Sequence, residues 1–232
     1  MESSTLIQRY QMMGFPTGVA FKGTSDQKAR LERQFLRKAE FMKSHKCPIW
    51  NGEFGPVYSD TRDEDATSVN QDRYNLLGEQ LAIYDRHQIS WSIWLYKDIG
   101  IQGMLHTDPK SKWNRRIQPF LDKKKRFRLD AWGVYPSEES EAAVNPLVGW
   151  IEKISPSAKD MYPTPWDVER HVLRNVVQTF LSATFSDEFA EQFRGMDEKE
   201  LDELAHSFHF DECMQREGLN KILTSYAESH GA

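Results

Sequence analysis

Cysteine is scarce: the 232 residues hold two, Cys47 and Cys213, far apart in the chain. A dense disulfide framework is thereby excluded. One bridge between them stays open in principle, and two reduced thiols are the simpler reading. Neither has the neighbours of a metal site, and no His/Asp/Glu spacing suggests one. Long apolar runs are missing as well. None approaches the ~20 residues needed to span a bilayer. Residues 1–10 hold no apolar core of a secretory signal, which leaves a cytoplasmic location as the default expectation. Positive charge is not in excess. Against 35 Asp and Glu stand 30 Lys and Arg, a net charge of -5, which argues against a nucleic-acid partner. Internal repeats and low-complexity segments are absent too. What is present is 39% hydrophobic and 12% aromatic residues, enough to build a core and to exclude disorder. The length suits one large domain or two small ones.

The most informative stretch is Pro48-Ile49-Trp50-Asn51-Gly52-Glu53-Phe54-Gly55-Pro56. Rich in β-formers and bounded by prolines, it reads as a strand running into a loop. Side chains alternate along a strand, so Ile49, Asn51 and Glu53 are expected on one face. Trp50, Gly52 and Phe54 are expected on the other, which meets a layer of helices. Glu53 then ends the strand among glycines and aromatics. A carboxylate buried there is paired, protonated or functional, because an unpaired buried charge is costly. A second strand is expected over Ser90-Trp91-Ser92-Ile93-Trp94-Leu95-Tyr96-Lys97-Asp98. Ser90, Ser92 and Trp94 share one of its faces, and Trp91, Ile93 and Leu95 share the other, with Trp91 in the core. The interval suits a parallel β-helix-β unit.

Helices follow from caps and spacing. Thr24 with Gln27 makes a capping box, followed by Leu31, Phe35, Ala39 and Met42 at helical intervals, with an end near His45-Lys46. Residues 58–67 read as a polar loop. Ser68 with Gln71 caps the next helix, whose inner stripe is Tyr74, Leu77, Leu81 and Tyr84, ending at His87-Gln88. Asp108-Pro109 starts another, which Pro119 should kink or end, and Lys123 to Arg126 are its solvated last turns. Residues 136–146 read as a linker. Thr164-Pro165 opens a helix with the stripe Val168, Val172, Val176 and Phe180. Asp197 with Glu200 caps one carrying Leu201, Leu204 and Phe208. His45 and His106 read as surface residues.

Ile49-Trp50-Asn51-Gly52-Glu53-Phe54-Gly55 resembles the seventh barrel strand of glycoside hydrolase family 5, whose nucleophilic glutamate sits in a Gly-Glu-Phe-Gly type motif. Ser90-Trp91-Ser92-Ile93-Trp94 resembles the family's eighth strand, which ends in a sugar-stacking tryptophan. The rest of the chain resembles the helical extension of some fungal members. The resemblance implies an α/β fold. Residues 1–135 would form a partial (β/α)8 TIM-barrel segment with strands resembling the sixth to eighth, and residues 136–232 a helical C-terminal extension. It implies hydrolysis of O-glycosyl bonds in a β-linked polysaccharide or glycoconjugate by a retaining mechanism, with no metal or organic cofactor. Glu53 takes the place of the nucleophile and Trp94 that of the sugar platform. Tyr10, near the end of the strand expected over residues 6–10, matches a tyrosine lining the sugar site, while Gln8 stands where a histidine belongs. Asn51, Tyr58 and Lys97 complete the candidate substrate-binding set. Lys97 with Asp98 either lines the mouth or forms a surface ion pair.

Two departures qualify this. In the resembling family the acid/base glutamate follows an asparagine, and no Asn-Glu dipeptide occurs in the sequence. About three strands can be found where a barrel needs eight. The expectation is a truncated chain with weak or absent hydrolysis of its own. Its open sheet edges would invite self-association or a barrel-completing partner. The alternative is a non-catalytic carbohydrate-binding or protein-interaction remnant.

Overall fold

A computed structural model of the chain describes residues 21–59, 64–129, 137–162 and 167–229. Of these, 21–108 with 208–229 form one compact unit and 109–207 another. As packing units they part after residue 108, and the chain returns to the first at residue 208. Tyr10 and the strand expected over residues 6–10 lie outside the described residues.

The first unit opens with α1 (Ser25–His45). Its capping box forms as expected: the Thr24 hydroxyl accepts from the Gln27 N–H at 3.3 Å, and the Gln27 side chain accepts from the Thr24 N–H at 3.4 Å. Then come β1 (Trp50–Phe54), α2 (Ala66–Arg86) and β2 (Ser90–Ile93), with β1 and β2 paired in parallel. This is the expected β-helix-β unit. α2 starts earlier than the expected Ser68 cap. Asp65 holds the N-cap position, and Ser68 lies within the first turn, its hydroxyl donating to the Asp65 carbonyl at 3.0 Å. The single strand expected over residues 90–98 is two. β2 stops at Ile93, and the chain bends through Trp94, Leu95 and Tyr96, where the Trp94–Leu95 peptide is cis. It resumes as β3 (Lys97–Asp98), which pairs in parallel with β4 (Leu105–Thr107) in a second sheet.

The second unit is helical. α3 (Lys112–Arg126) is capped by Ser111, whose hydroxyl accepts from the Asn114 N–H at 3.2 Å. The start expected at Pro109 is therefore late by one turn, and the helix runs continuously through Pro119, which removes one backbone donor without ending it. The expected linker is largely α4 (Glu138–Ile154). Ser137 accepts from the Ser140 N–H at 3.1 Å, and Glu138, Glu139 and Glu141 fill the first turn, where the helix dipole favours acids. The acidic run was a helix start. α5 (Ala158–Met161) and α6 (Val168–Val172) follow, and α6 continues as a π-helix over Leu173–Leu181. The start expected at Thr164-Pro165 lies outside the described residues. α7 (Ser186–Glu191) and α8 (Glu198–Ala205) complete the unit, the latter with the expected Asp197/Glu200 capping box.

The chain then rejoins the first unit as β5 (Cys213–Gln215), antiparallel to β4, and α9 (Glu217–Ser229). The architecture is thus α/β and mostly helical. Among the described residues the sheets have two and three strands, and neither closes on itself. Both cysteines are free.

Each unit has its own core. In the first, Leu77, Leu81 and Tyr84 of α2 are buried with Ile83, Ile89 and Leu219, and Phe35, Phe54, Trp91 and Ile93 pack against them. α9 approaches α2 so closely that a Cβ on Gly218 would lie 2.4 Å from the Tyr74 ring, so glycine is needed there. In the second unit Val144, Val168, Val172, Leu173 and Val177 are buried together. Val176 and Phe180, expected inside, face solvent, Phe180 at 71% exposure. The π-helix explains the shift. Its i→i+5 bonding widens each turn, so after Val172 and Leu173 the next inward residue is Val177 and not Val176. Leu201 is likewise exposed while Leu204 is buried.

Candidate active site

The two parallel strands end side by side. The Trp94 N–H donates to the Phe54 carbonyl at 2.8 Å, and the Ser92 hydroxyl donates to the Gly52 carbonyl at 2.8 Å. Gly55 follows with φ at +141°, and a Cβ there would meet the Trp94 carbonyl oxygen at 3.0 Å. Only glycine combines that backbone angle with so close an approach. Glu53 and Trp94 therefore lie on neighbouring strand ends, as expected.

The faces of β1 differ from simple alternation. Asn51 is in register with Trp91 and Phe54 with Ile93, so three steps on β1 match two on β2. A bulge thus falls at Gly52–Glu53, and the pleat loses its phase there. Asn51 and Phe54 consequently point to the same side. The Asn51 amide donates to the Tyr84 hydroxyl at 2.8 Å, and the Phe54 ring meets the Tyr84 ring edge-on at 5.0 Å. Asn51 is turned away from Glu53 and lends its hydrogen bond to α2. Trp50, expected against the helices, is 67% exposed. Glu53 is exposed too, and among the described residues it makes no ion pair. The expectation of a buried carboxylate therefore fails, because the bulge lifts Glu53 out of the sheet.

Trp94 is 43% exposed just beyond β2, whereas Trp91 is packed between Phe54 and Tyr226. Tyr58 is buried. The Arg216 guanidinium lies 4.2 Å from its ring centre, and burial pushes its hydroxyl well above the ordinary tyrosine range. Lys97 is half-buried, with its ammonium donating to the Phe208 carbonyl, and among the described residues it forms no ion pair with Asp98. Asp98 caps the turn after β3. Its carboxylate accepts from the N–H groups of Gly100 at 2.8 Å and Ile101 at 3.1 Å, and also from Gln102.

Sequence reasoning missed the residue that ties these loops together. Arg216, buried between β5 and α9, donates to the Gly103 carbonyl at 3.0 Å and the Gly100 carbonyl at 2.8 Å. The loop it holds is joined to the end of β1 twice. Gln102 donates to the Gly55 carbonyl at 3.2 Å, and the Tyr58 N–H donates to the Ile101 carbonyl at 2.8 Å. A lone arginine distant in sequence carries no pattern that would flag it. His106, expected at the surface, is buried on β4 because the unforeseen β5 covers it. Burial lowers its pKa below the ordinary histidine value, and Arg216 adds to this. Its Nδ1 hydrogen-bonds the Thr107 carbonyl at 3.1 Å.

An apolar cavity of about 670 Å³ lies between α1, α2 and β1, lined by Leu31, Phe35, Ile49, Asn51, Ile83 and Tyr84 among others. Glu53 and Trp94 are not part of its wall. Among the described residues no cluster of His, Cys, Asp and Glu could hold a metal ion, and no helix is long and apolar enough to cross a membrane.

No family model matches the chain, and no solved structure matches it. The sequence is 40% identical over 226 residues to the β-xylosidase of Phanerodontia chrysosporium, an alignment covering 95% of this chain and 47% of that protein. The chain therefore spans about half the length of the curated relative it matches, and across that span it is related to a fungal glycoside hydrolase.

Proposed function

We propose that this chain is part of a retaining β-glycosidase of the TIM-barrel type, within glycoside hydrolase family 5. Residues 1–135 would supply barrel strands and residues 136–232 a helical extension. The complete enzyme would cleave O-glycosyl bonds of a β-linked polysaccharide or glycoconjugate. One observation carries the reading: two parallel strands are bonded at their C-terminal ends, with an exposed carboxylate and an exposed indole beside that bond. Catalytic groups on parallel-sheet enzymes gather at such ends. The relative's name makes β-linked xylose the first sugar to try.

In this reading the Glu53 carboxylate attacks the anomeric carbon and displaces the leaving oxygen, forming a glycosyl ester that water then cleaves. Trp94 offers its ring to the C–H face of the sugar, and Tyr10 hydrogen-bonds it. Asn51, Tyr58 and Lys97, held by contacts with Tyr84, Arg216 and Phe208, complete the substrate-binding set. The acid that protonates the leaving group must stand roughly 5–5.5 Å from the nucleophile. No Asn-Glu dipeptide supplies it here, so it comes from outside these 232 residues, through strands that complete the sheet at its open edges. The chain alone then hydrolyses ordinary glycosides weakly or not at all.

A substrate with an activated leaving group separates the two carboxyl roles, because fluoride departs without protonation. Incubated with 2-deoxy-2-fluoro-xylosyl fluoride, the chain should gain one sugar on Glu53, seen by peptide mass spectrometry, and Glu53→Gln should gain none. Xylose binding without labelling would favour the non-catalytic sugar-binding alternative, which the exposure of Glu53 also suits. Aryl xyloside hydrolysis by the isolated chain, abolished by Glu53→Gln, would overturn the claim that the acid lies elsewhere.

A further inference from the structure

We infer that Tyr96 and Phe210 form a second carbohydrate platform beside Trp94, taking the neighbouring pyranose unit of a β-linked oligosaccharide; this rests on the glycosidase reading above. The two rings come from distant parts of the chain and lie nearly parallel, 20° apart, with centroids 6.3 Å from each other. Both are large and open to solvent, Tyr96 at 58% and Phe210 at 60%. Tyr96 follows Trp94 by two residues, so their Cα atoms stand within about 7 Å. Exposed aromatic side chains therefore recur two residues beyond the indole.

The platform is held in place before any ligand arrives. Behind Tyr96, its carbonyl accepts from the Leu105 N–H at 3.0 Å. Ahead of Phe210, the Lys97 ammonium bonds the Phe208 carbonyl, and after it β5 is stitched to β4. The backbone under each ring therefore needs no ordering on binding. The surroundings suit a sugar better than a protein partner. Phe210 is flanked by exposed His209, Asp211 and Glu212. An isolated apolar face bordered by polar groups matches a pyranose, which has a C–H face and a rim of hydroxyls, whereas a docked protein needs a broader apolar patch.

The test is calorimetric titration of the full chain in a Glu53→Gln background with methyl β-xyloside and with xylotriose. Tyr96→Ala and Phe210→Ala should each weaken xylotriose on the order of three- to tenfold, the range a single aromatic contact supports, and leave methyl xyloside unchanged. Trp94→Ala should weaken both. Phe210→Tyr keeps a ring and should keep the affinity, which separates stacking from loss of fold. Equal xylotriose binding by the parent and the alanine variants overturns the platform while sparing the glycosidase reading. Failure of the parent to bind either sugar overturns both. A change in self-association on size exclusion, with sugar binding unaltered, reassigns the two rings to a protein contact and overturns the platform.

Discussion

The strand-bearing unit and the helical unit are of similar size yet are held together differently. In the helical unit neighbours in sequence make most of the core: Val168, Val172, Leu173 and Val177 lie within ten residues. Its ion pairs lie largely toward the surface, as in the Lys112–Glu203 pair at 2.6 Å and the Lys123–Glu188 pair at 2.6 Å, with Arg128, buried and 3.5 Å from Glu169, as the exception. In the strand unit the key contacts are distant. Leu219 of α9 is fully buried against Leu77 of α2, and Arg216 reaches Gly100 and Gly103. Candidate chemistry stands only on the second kind of scaffold. Fixing two strand ends requires groups from outside the strands, and those arrive through long-range contacts.

The sharpest way to break this contrast is Leu219→Ala. Removing a fully buried leucine should cost about 2–5 kcal/mol, and the loss should fall on the strand unit. Hydrogen exchange followed by peptide should accelerate in α2 and α9 and stay unchanged over α4 and α6. Equal acceleration in both units would show that they open as one.

Arg216→Ala comes next. It strands the carbonyls of Gly100 and Gly103, at about 1–3 kcal/mol for buried groups left unbonded. Denaturant unfolding should record that loss. Arg216→Lys should recover little, because an ammonium lacks the guanidinium's fork of donors. Full recovery would reduce Arg216 to a simple positive charge.

Acid should also act on the strand unit through His106. Its folded pKa lies below the unfolded value, chiefly by burial and further by Arg216, against the opposing pull of the Thr107 carbonyl, Asp98 and Asp108. The unfolded chain therefore binds the proton more readily. The contribution is present above the unfolded pKa of ~6.5 and is lost as pH falls through it toward the lower folded value. Unfolding curves measured downward from pH 8 should show this decline in the parent and a flatter profile in His106→Gln. Identical slopes would place the acid sensitivity elsewhere.

The smallest effect belongs to the helical unit. A double-mutant cycle on Lys112 and Glu203, both well exposed, should return only a weak coupling that shrinks further in high salt. A larger coupling would mean that this unit, too, depends on contacts between distant residues.

Much of the local structure was legible because its causes are local. The Thr24 and Asp197 capping boxes read directly into α1 and α8, since a cap involves residues three apart. The stripe Leu77, Leu81, Tyr84 is inward on α2, and the interval between Glu53 and Trp94 foretold two parallel strands. Where the local signal was ambiguous the reading slipped. Acidic residues 138–141 resemble a linker until Ser137 is seen to cap them.

The amino-acid sequence by itself determined the starts of α1 and α8, the parallel pairing of β1 with β2, and the presence of a carboxylate and an indole at their ends. Tertiary structure alone decided what those groups face. The bulge at Gly52–Glu53 depends on register with β2, so no count along β1 reveals that Asn51 turns to Tyr84 while Glu53 turns outward. The π-helix that moves Val177 inward in place of Val176 is set by packing against its unit. β5 is three residues long, too short to show any alternation, yet it buries His106 and brings Arg216 and Phe210 to the loops around Trp94. Periodicity and caps act over one or two turns; register, bulges and returning segments are chosen by surfaces that meet only after the chain has folded.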